Sequence, residues 1–256
     1  MSTWLFDLGN SRLKCAPLGE GIGEAAVHAV LEVDHDSDNF ARGWVERLPP
    51  RIGTAFVASV ATPALTAALL DALAQRCIRI SLARTQRACA GVRIAYDEPR
   101  RLGVDRFLAL LAAYARAQAP WLVVGVGTAL TIDLLDADGW HRGGRIAPSP
   151  TLMREALHAR APHLPSSGGT YTEFADDTAG GLASGCEGAA LGLIARSRDI
   201  ATTQLGTAPR VLLHGGGAPA LLPRVAGATL APTLVLEGLA RWARTIAPAD
   251  LHNTRA

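Results

Sequence analysis

The chain has 256 residues, 49% apolar, 5% aromatic and 19% charged, which is enough to fill a core and too apolar for a disordered chain. A net charge of +2 provides no concentrated basic face of the kind that phosphate-backbone binding requires, so no nucleic-acid partner is expected. The most apolar stretch, residues 121–135, is broken by Gly125, Gly127, Thr128 and Asp133, and the N-terminal run meets Asp7 without a basic segment, so neither a membrane span nor a secretory signal is expected and a cytoplasmic location is.

In chain order, Thr3–Leu8 reads as a buried strand, Gly9-Asn10-Ser11 as a turn and Leu13–Ala16 as a strand pairing back. After a loop at 19–23, a third strand is expected over Ala26–Val33 and a helix around Asn39–Arg47. Ala55–Val60 is rich in strand formers, and Pro63–Arg76 has apolar residues at helical spacing, with Pro63 placed to open the helix. Cys77–Leu82 and Val92–Tyr96 read as strands. Val104–Ala117 predicts a helix with Val104, Phe107, Leu108, Leu111 and Ala115 on one face. The pattern then restarts with strands at Leu122–Val126, Ala129–Asp136 and Trp140–Ile146. A helix over Thr151–Arg160 follows, then a Ser/Gly-rich loop at Pro165–Thr172, expected to be mobile, and a long helix over Ala179–Thr203. A strand at Arg210–His214 runs into Gly215-Gly216-Gly217, and a terminal helix covers Thr233–Ile246.

Two strand-turn-strand openings, at Asp7–Ser11 and Gly125–Ala129, stand 118 residues apart. Their spacing suggests a duplicated α/β domain, 1–118 and 119–256, with ligand held between the copies. Cys15, Cys77, Cys89 and Cys186 make no CxxC pair and are read as reduced thiols; the histidines at 28, 35, 141, 158, 163, 214 and 252 are scattered and read as surface or core residues.

The chemistry concentrates at the turns. In Asp7-Leu8-Gly9-Asn10-Ser11-Arg12-Leu13-Lys14, glycine allows close backbone approach, free N–H groups make an anion site, and Asn10 and Ser11 can donate to phosphate oxygens. Asp7 suits Mg²⁺, and Arg12 or Lys14 can neutralise a phosphate. Lys14 is the single lysine among 25 basic residues, and its compact ammonium differs from the guanidinium used everywhere else. Gly127-Thr128-Ala129 offers a second cradle, with Thr131 and Asp133 alternating on one face of the strand that follows. Asp105, in Gly103-Val104-Asp105-Arg106, either complements a helix dipole or serves as a base. Arg106 either pairs with Asp105 or holds a carboxylate. Gly215–Gly217 is either a flat seat for an adenine ring or a plain strand-to-helix loop.

Taken together, Asp7–Ser11, Gly103–Arg106, Gly127–Asp133 and Gly143-Gly144-Arg145-Ile146-Ala147-Pro148-Ser149 resemble, in order and spacing, the motifs of the type III pantothenate kinases of the actin-like ATPase superfamily. The resemblance spans nearly the whole chain. It implies a duplicated actin-like (ribonuclease H-like) α/β fold with an interdomain cleft and ATP-dependent phosphorylation of pantothenate to 4′-phosphopantothenate, the first step of coenzyme A biosynthesis. It implies ATP and Mg²⁺ at residues 7–14 (Asp7, Leu8, Gly9, Asn10, Ser11, Arg12, Leu13 and Lys14) and at Thr128. It places pantothenate at Tyr96, Gly103, Val104, Asp105, Arg106 and Thr178, with Asp105 as the base, and it implies a homodimer. Two positions depart from the pattern. The family commonly has an acid, associated with bound K⁺ or NH₄⁺, two residues before the Gly-Thr-Ala glycine; here that position is Gly125, so such a cation binds more weakly or carbonyls replace the acid. Ser149 stands where the family has glycine and costs about 1 kcal/mol if the turn needs positive φ. The competing readings are another small-molecule kinase of the superfamily and a regulatory accessory protein.

Overall fold

The computed structural model describes residues 2–21, 23–36 and 39–246; His252 lies outside them. In chain order the elements are β1 (Thr3–Leu8), β2 (Arg12–Pro17), β3 (Leu31–Asp34), β4 (Ile52–Ser59), α1 (Pro63–Ala74), β5 (Cys77–Leu82), β6 (Ala88–Cys89), β7 (Val92–Arg93), α2 (Val104–Arg116), β8 (Trp121–Val126), β9 (Ala129–Leu135), β10 (His141–Pro148), α3 (Pro150–Arg160), α4 (Thr178–Leu205), β11 (Arg210–His214), α5 (Ala218–Leu221), β12 (Ala228–Leu230) and α6 (Leu234–Ile246). They form two compact units. Among the described residues, the first holds those up to Gln118, the turn Asp138–His141 and Thr233–Ile246; the second holds Ala119–Ala137 and Arg142–Pro232. The terminal helix α6 therefore groups with the first unit, whereas a division into consecutive halves places it in the second.

The first unit is built on a sheet in the order β3-β2-β1-β4-β5. β1 pairs antiparallel with β2 and parallel with β4, and β4 pairs parallel with β5. One face carries Phe6, Leu8, Leu13, Val57 and Ile52 against Leu65, Leu69 and Leu73 of α1. Pro63 opens α1 at its first turn, and the Thr62 hydroxyl caps it by accepting from the Leu65 N–H. On the other side α2 and α6 pack together, and Trp242 of α6 meets Phe56 of β4 edge-on at 6.1 Å between ring centroids.

The second unit repeats this plan, with a sheet in the order β10-β9-β8-β11-β12. β8 pairs antiparallel with β9 and parallel with β11, and β11 pairs parallel with β12. Strand for strand this is the order of the first sheet, so the repeat read from the two turns is a repeat of whole sheets. Leu122, Val124, Val126, Leu130 and Ile132 pack with Ala190 and Ile194 of α4 and with Val211 and Leu213.

Four expectations are corrected. The third strand covers only Leu31–Asp34, because Gly23–Ala26 winds into a 3₁₀ turn. The helix expected around 39–47 is reduced to a 3₁₀ turn at Val45–Arg47; a few residues without a cap cannot meet the cost of helix nucleation. Only Val92–Arg93 of the expected strand at 92–96 is paired. Helix α2 buries every residue from Arg106 to Ala113 rather than one stripe, as a helix does when it lies between a sheet and another helix. The four cysteines are free thiols, as read from their spacing. No helix among the described residues is long and apolar enough to cross a membrane.

Helix α6 reaches α2 through Gly238. A Cβ at that position would overlap the carbonyl of Leu108, so the two backbones touch where any side chain would separate them. Beside this contact the buried carboxylate of Glu237 accepts from Arg116 at 2.8 Å and from Thr233 at 2.8 Å. Gly238→Ala is expected to destabilise the protein by about 2–3 kcal/mol through overpacking, read as a lower urea midpoint. Gly185→Ala, on exposed α4 with nothing within 4 Å of a new Cβ, is expected to stabilise it by about 0.5–1 kcal/mol.

Candidate active site

Asp7 lies on β1 directly opposite Lys14 of β2, and Lys14 in turn faces Glu32 of β3. The Lys14 ammonium is 3.4 Å from a Glu32 oxygen. Two residues back on the same strand, Arg12 spans Glu32 at 2.6 Å and Asp34 at 3.0 Å. Its fork is thus spent on an exposed cross-strand pair, while Lys14 sits on the side of Asp7. The hairpin closes with the Gly9 N–H donating to the Arg12 carbonyl at 3.0 Å. Asn10 and Ser11 are exposed at its tip, whereas Leu8 and Leu13 are fully buried, so those two residues offer a ligand only their backbone.

Asp105 is in the first turn of α2. Its carboxylate curls back to accept from the Arg106 N–H at 2.8 Å, over the space that a Cβ on Gly103 would take (2.6 Å from Asp105 Oδ1). Gly103 is therefore required for this side-chain position. The Asp105 charge is felt by Asp7, residues 98 positions apart in sequence brought together in the first unit. Burial, then Asp105, push the Asp7 carboxyl up to about 7, with Lys14 pulling it down. Asp105 thus lies in the first turn of α2, where an acid complements the helix dipole, and its charge also reaches the Asp7 carboxyl.

Arg106 is buried and its Nη1 donates to the Tyr96 hydroxyl at 3.4 Å. The Tyr96 ring stacks on His141 with centroids 6.0 Å apart and planes 10° apart. His141 is 2% exposed. It arrives on the turn Asp138–His141, where Arg93 N–H donates to the Gly139 carbonyl at 2.8 Å and Gly139, at φ +82°, leaves room that Gly91 and Tyr114 fill. Sequence reasoning passed over this histidine, since a lone His in a strand carries no signal. It also passed over His35, whose Nε2 lies 3.0 Å from the Gly9 carbonyl at the phosphate-type turn.

In the second unit, Gly127 and Thr128 form the exposed tip of the β8–β9 hairpin. Behind it, Gly125 pairs with Thr131 of β9 on one side and His214 of β11 on the other. Asp133 is buried on β9. The glycine run is used by the fold: Gly215, at φ +90°, lies against the Val126 backbone, and the Gly217 N–H donates to the Val126 carbonyl at 2.9 Å. Ser149 has φ −70° and caps α3, its hydroxyl accepting from Leu152 N–H at 3.2 Å, so it carries no positive-φ cost and contributes a cap instead. Thr178 is exposed at the first position of α4, after Asp177, which accepts from the Gly180 N–H at 2.9 Å.

The donor set fits a magnesium nucleotide. Mg²⁺ takes one or two carboxylates and leaves its other positions to phosphate and water. Asp7, a carboxyl whose ionisation is opposed by burial and by a second acid, is a group that a cation would relieve. No cluster of three or more His, Cys, Asp or Glu suited to an all-protein metal cage occurs among the described residues.

The sequence profile of the family described as type III pantothenate kinase matches residues 4–199. A type III pantothenate kinase of Stenotrophomonas maltophilia strain K279a is 62% identical over 244 residues, covering 95% of this chain and 98% of the relative. One from Xanthomonas axonopodis pv. citri is 56% identical over 245 residues, covering 95% and 98%. Among solved structures, a Campylobacter jejuni protein provisionally assigned to the Baf family of transcriptional activators superposes with a TM-score of 0.62 at 17% identity, over 96% of this chain and 99% of that one. A Sinorhizobium meliloti protein provisionally assigned as a 2-dehydro-3-deoxygalactonokinase gives 0.57 at 18%, over the same shares. At such identities these structures speak for the duplicated actin-like fold alone. The matched profile and the near full-length relatives give the family directly: this chain is a member of the type III pantothenate kinases.

Proposed function

We propose that the protein transfers the γ-phosphoryl group of ATP to the primary hydroxyl of pantothenate, giving 4′-phosphopantothenate and ADP, with Asp105 as the general base. The observation that carries the base assignment is the placement of Asp105 beside Asp7: one carboxylate for the nucleotide's metal and one for the alcohol, within electrostatic reach of each other. Mg²⁺, when bound with ATP, neutralises charge on the transferring phosphoryl group. Asp7 holds its place in that sphere. The Gly9–Ser11 backbone and Lys14 bind phosphate oxygens, and Thr128 of the second unit is the other ATP contact. Asp105 accepts the hydroxyl proton as the C–O oxygen attacks phosphorus, and ADP leaves as the bond from the γ-phosphorus to the bridging oxygen breaks. Arg106 is suited to the pantothenate carboxylate, with Tyr96 and Thr178 lining the same substrate.

The reading extends to a cytoplasmic homodimer of two actin-like domains per chain, in which Thr178, exposed on α4, helps complete a pantothenate pocket. A monovalent cation is not supported by the residues present, because the acid that would hold it is Gly125.

Positioned proton transfer contributes about 10²–10⁴-fold. Asp105→Asn is expected to lower kcat by that factor in an ADP-release assay, while circular dichroism and MgATP affinity stay close to wild type. Turnover within a few-fold of wild type would remove Asp105 from the role of base.

Asp7 makes a separate, pH-dependent prediction. Its carboxyl is raised in the folded protein, from 3.8 to about 7. Between those values the folded state keeps a proton that the unfolded chain releases, so stability falls as pH rises through that window and is lowest above it. Asp7→Asn removes this penalty. In the absence of nucleotide the variant is expected to be more stable than wild type at pH 8, by at most about 4 kcal/mol, with a gain at pH 5 smaller by about 2–3 kcal/mol. Its MgATP affinity and turnover are expected to fall at either pH. Denaturant titrations at the two pH values check the sign, and a stability gain that does not grow with pH would count against a half-buried, proton-holding Asp7.

A further inference from the structure

We propose that His214 takes the place of the monovalent cation in this chain, so that MgATP binding and turnover do not depend on K⁺ or NH₄⁺. The inference rests on ATP binding at the Gly127–Thr128 turn, as proposed above.

Gly125, Thr131 and His214 form one row across β8, β9 and β11, set by the pairings Gly125↔Thr131 and His214↔Gly125. The row lies at the end of β8 that leads into the turn, three residues before Thr128. A Cβ built on Gly125 would come within 2.7 Å of Thr131 Oγ1, 2.9 Å of His214 Nε2 and 3.1 Å of His214 Cε1. The space in which an acidic side chain at position 125 would begin is therefore already filled, by the Thr131 hydroxyl and the imidazole together. An aspartate could enter only if both the Thr131 hydroxyl and the His214 ring moved away.

The remaining donors do not replace the missing acid. K⁺ is held by converging oxygens, carbonyls above all. Here the Val126 and Ala129 carbonyls each have one of two lone pairs committed, to the Gly217 N–H at 2.9 Å and the Gly127 N–H at 3.0 Å, which weakens what they can offer an ion. Thr131 offers one neutral hydroxyl, and a ring nitrogen stands where an oxygen would be required. What the row offers instead is imidazole nitrogen, a donor when protonated at that atom, fixed on a strand end next to a turn whose ligand is anionic. A histidine on rigid backbone can supply there, without an ion, part of the positive potential that a bound cation would provide.

The test uses the full-length protein and two readouts: MgATP affinity by calorimetry, and ADP release with pantothenate, each in choline chloride and in KCl at equal ionic strength. The wild type is expected to show affinity and turnover within twofold in the two salts. His214→Ala, which removes the donor and opens the row, is expected to weaken MgATP binding about tenfold in choline and to recover part of it in KCl. His214→Gln, which keeps an N–H donor of similar reach, is expected to hold affinity near wild type. A tenfold or greater gain for the wild type in KCl overturns the proposal, and so does MgATP affinity unchanged in His214→Ala. Salt-independent MgATP binding without pantothenate-dependent ADP release would leave the His214 inference standing and overturn the pantothenate reading.

Discussion

The first unit holds an acid, Asp7, whose ionisation is opposed by burial and by a second acid, Asp105, and folding alone gives no return on that arrangement. A fold can tolerate such a pair only if the surrounding backbone is fixed too firmly for the carboxylates to drift apart. The structure shows where that firmness comes from. β1 is the central strand of its sheet, paired on both edges, and α2 is buried all round over Arg106–Ala113. Gly238 brings α6 into backbone contact with α2 at Leu108, three residues beyond Asp105 and thus one helical turn away. Apolar packing thus fixes the backbone that keeps the Asp7 carboxyl near Asp105 although its ionisation is opposed there.

The duplication explains why the chemistry is divided as it is. Each sheet has the same order, an antiparallel hairpin on one side of the first strand and parallel neighbours on the other. In both units the first strand ends at a glycine turn. The copies have since diverged in what stands behind that turn. In the first, charged residues alternate along β2 and β3: Arg12 and Lys14 facing Asp34 and Glu32. In the second, the row beside the turn is Gly125, Thr131 and His214, with Asp133 two residues further along β9. One turn is thus backed by charged side chains, the other by a glycine, a hydroxyl and an imidazole.

Much of this was legible in the sequence, for physical reasons that differ by element. The long helices and central strands declared themselves through periodicity and flanking signals, such as Pro63 at the start of α1 and the glycine turns after β1 and β8. Short pieces did not: residues 26–47 have strand and helix composition, yet the structure gives a four-residue strand and two 3₁₀ turns, because tertiary contacts decide segments too short to sustain themselves. The motif residues Asp7, Asp105 and Thr128 were singled out by pattern, and the structure sets the first two within electrostatic reach of each other. The histidines were not. His35, His141 and His214 come from β-rich stretches without a motif, and each matters only through what the fold sets beside it: the Gly9 carbonyl, the Tyr96 ring and the bare backbone of Gly125. Alternation locates a strand, but the residue on the neighbouring strand is a property of register, and register between residues 83 positions apart, as for Thr131 and His214 through Gly125 and its two partners, leaves no local trace in either one.

The single lysine shows how composition and geometry inform each other. Arg12 and Lys14 point to the same face of β2, two residues apart, and both meet Glu32. Arg12 is exposed and its planar fork engages two carboxylates at once, a geometry an ammonium cannot match. Lys14 is mostly covered, with 20% of its side chain exposed, and stands between Glu32 and Asp7 in the register of the sheet. A guanidinium there would commit its donors to fixed directions. A compact ammonium on a flexible stem can lower the cost of ionising Asp7 while keeping Glu32 within reach. In a chain that otherwise uses arginine for every basic position, the one place where a mobile point charge is physically better suited than a fork is where the lysine is found.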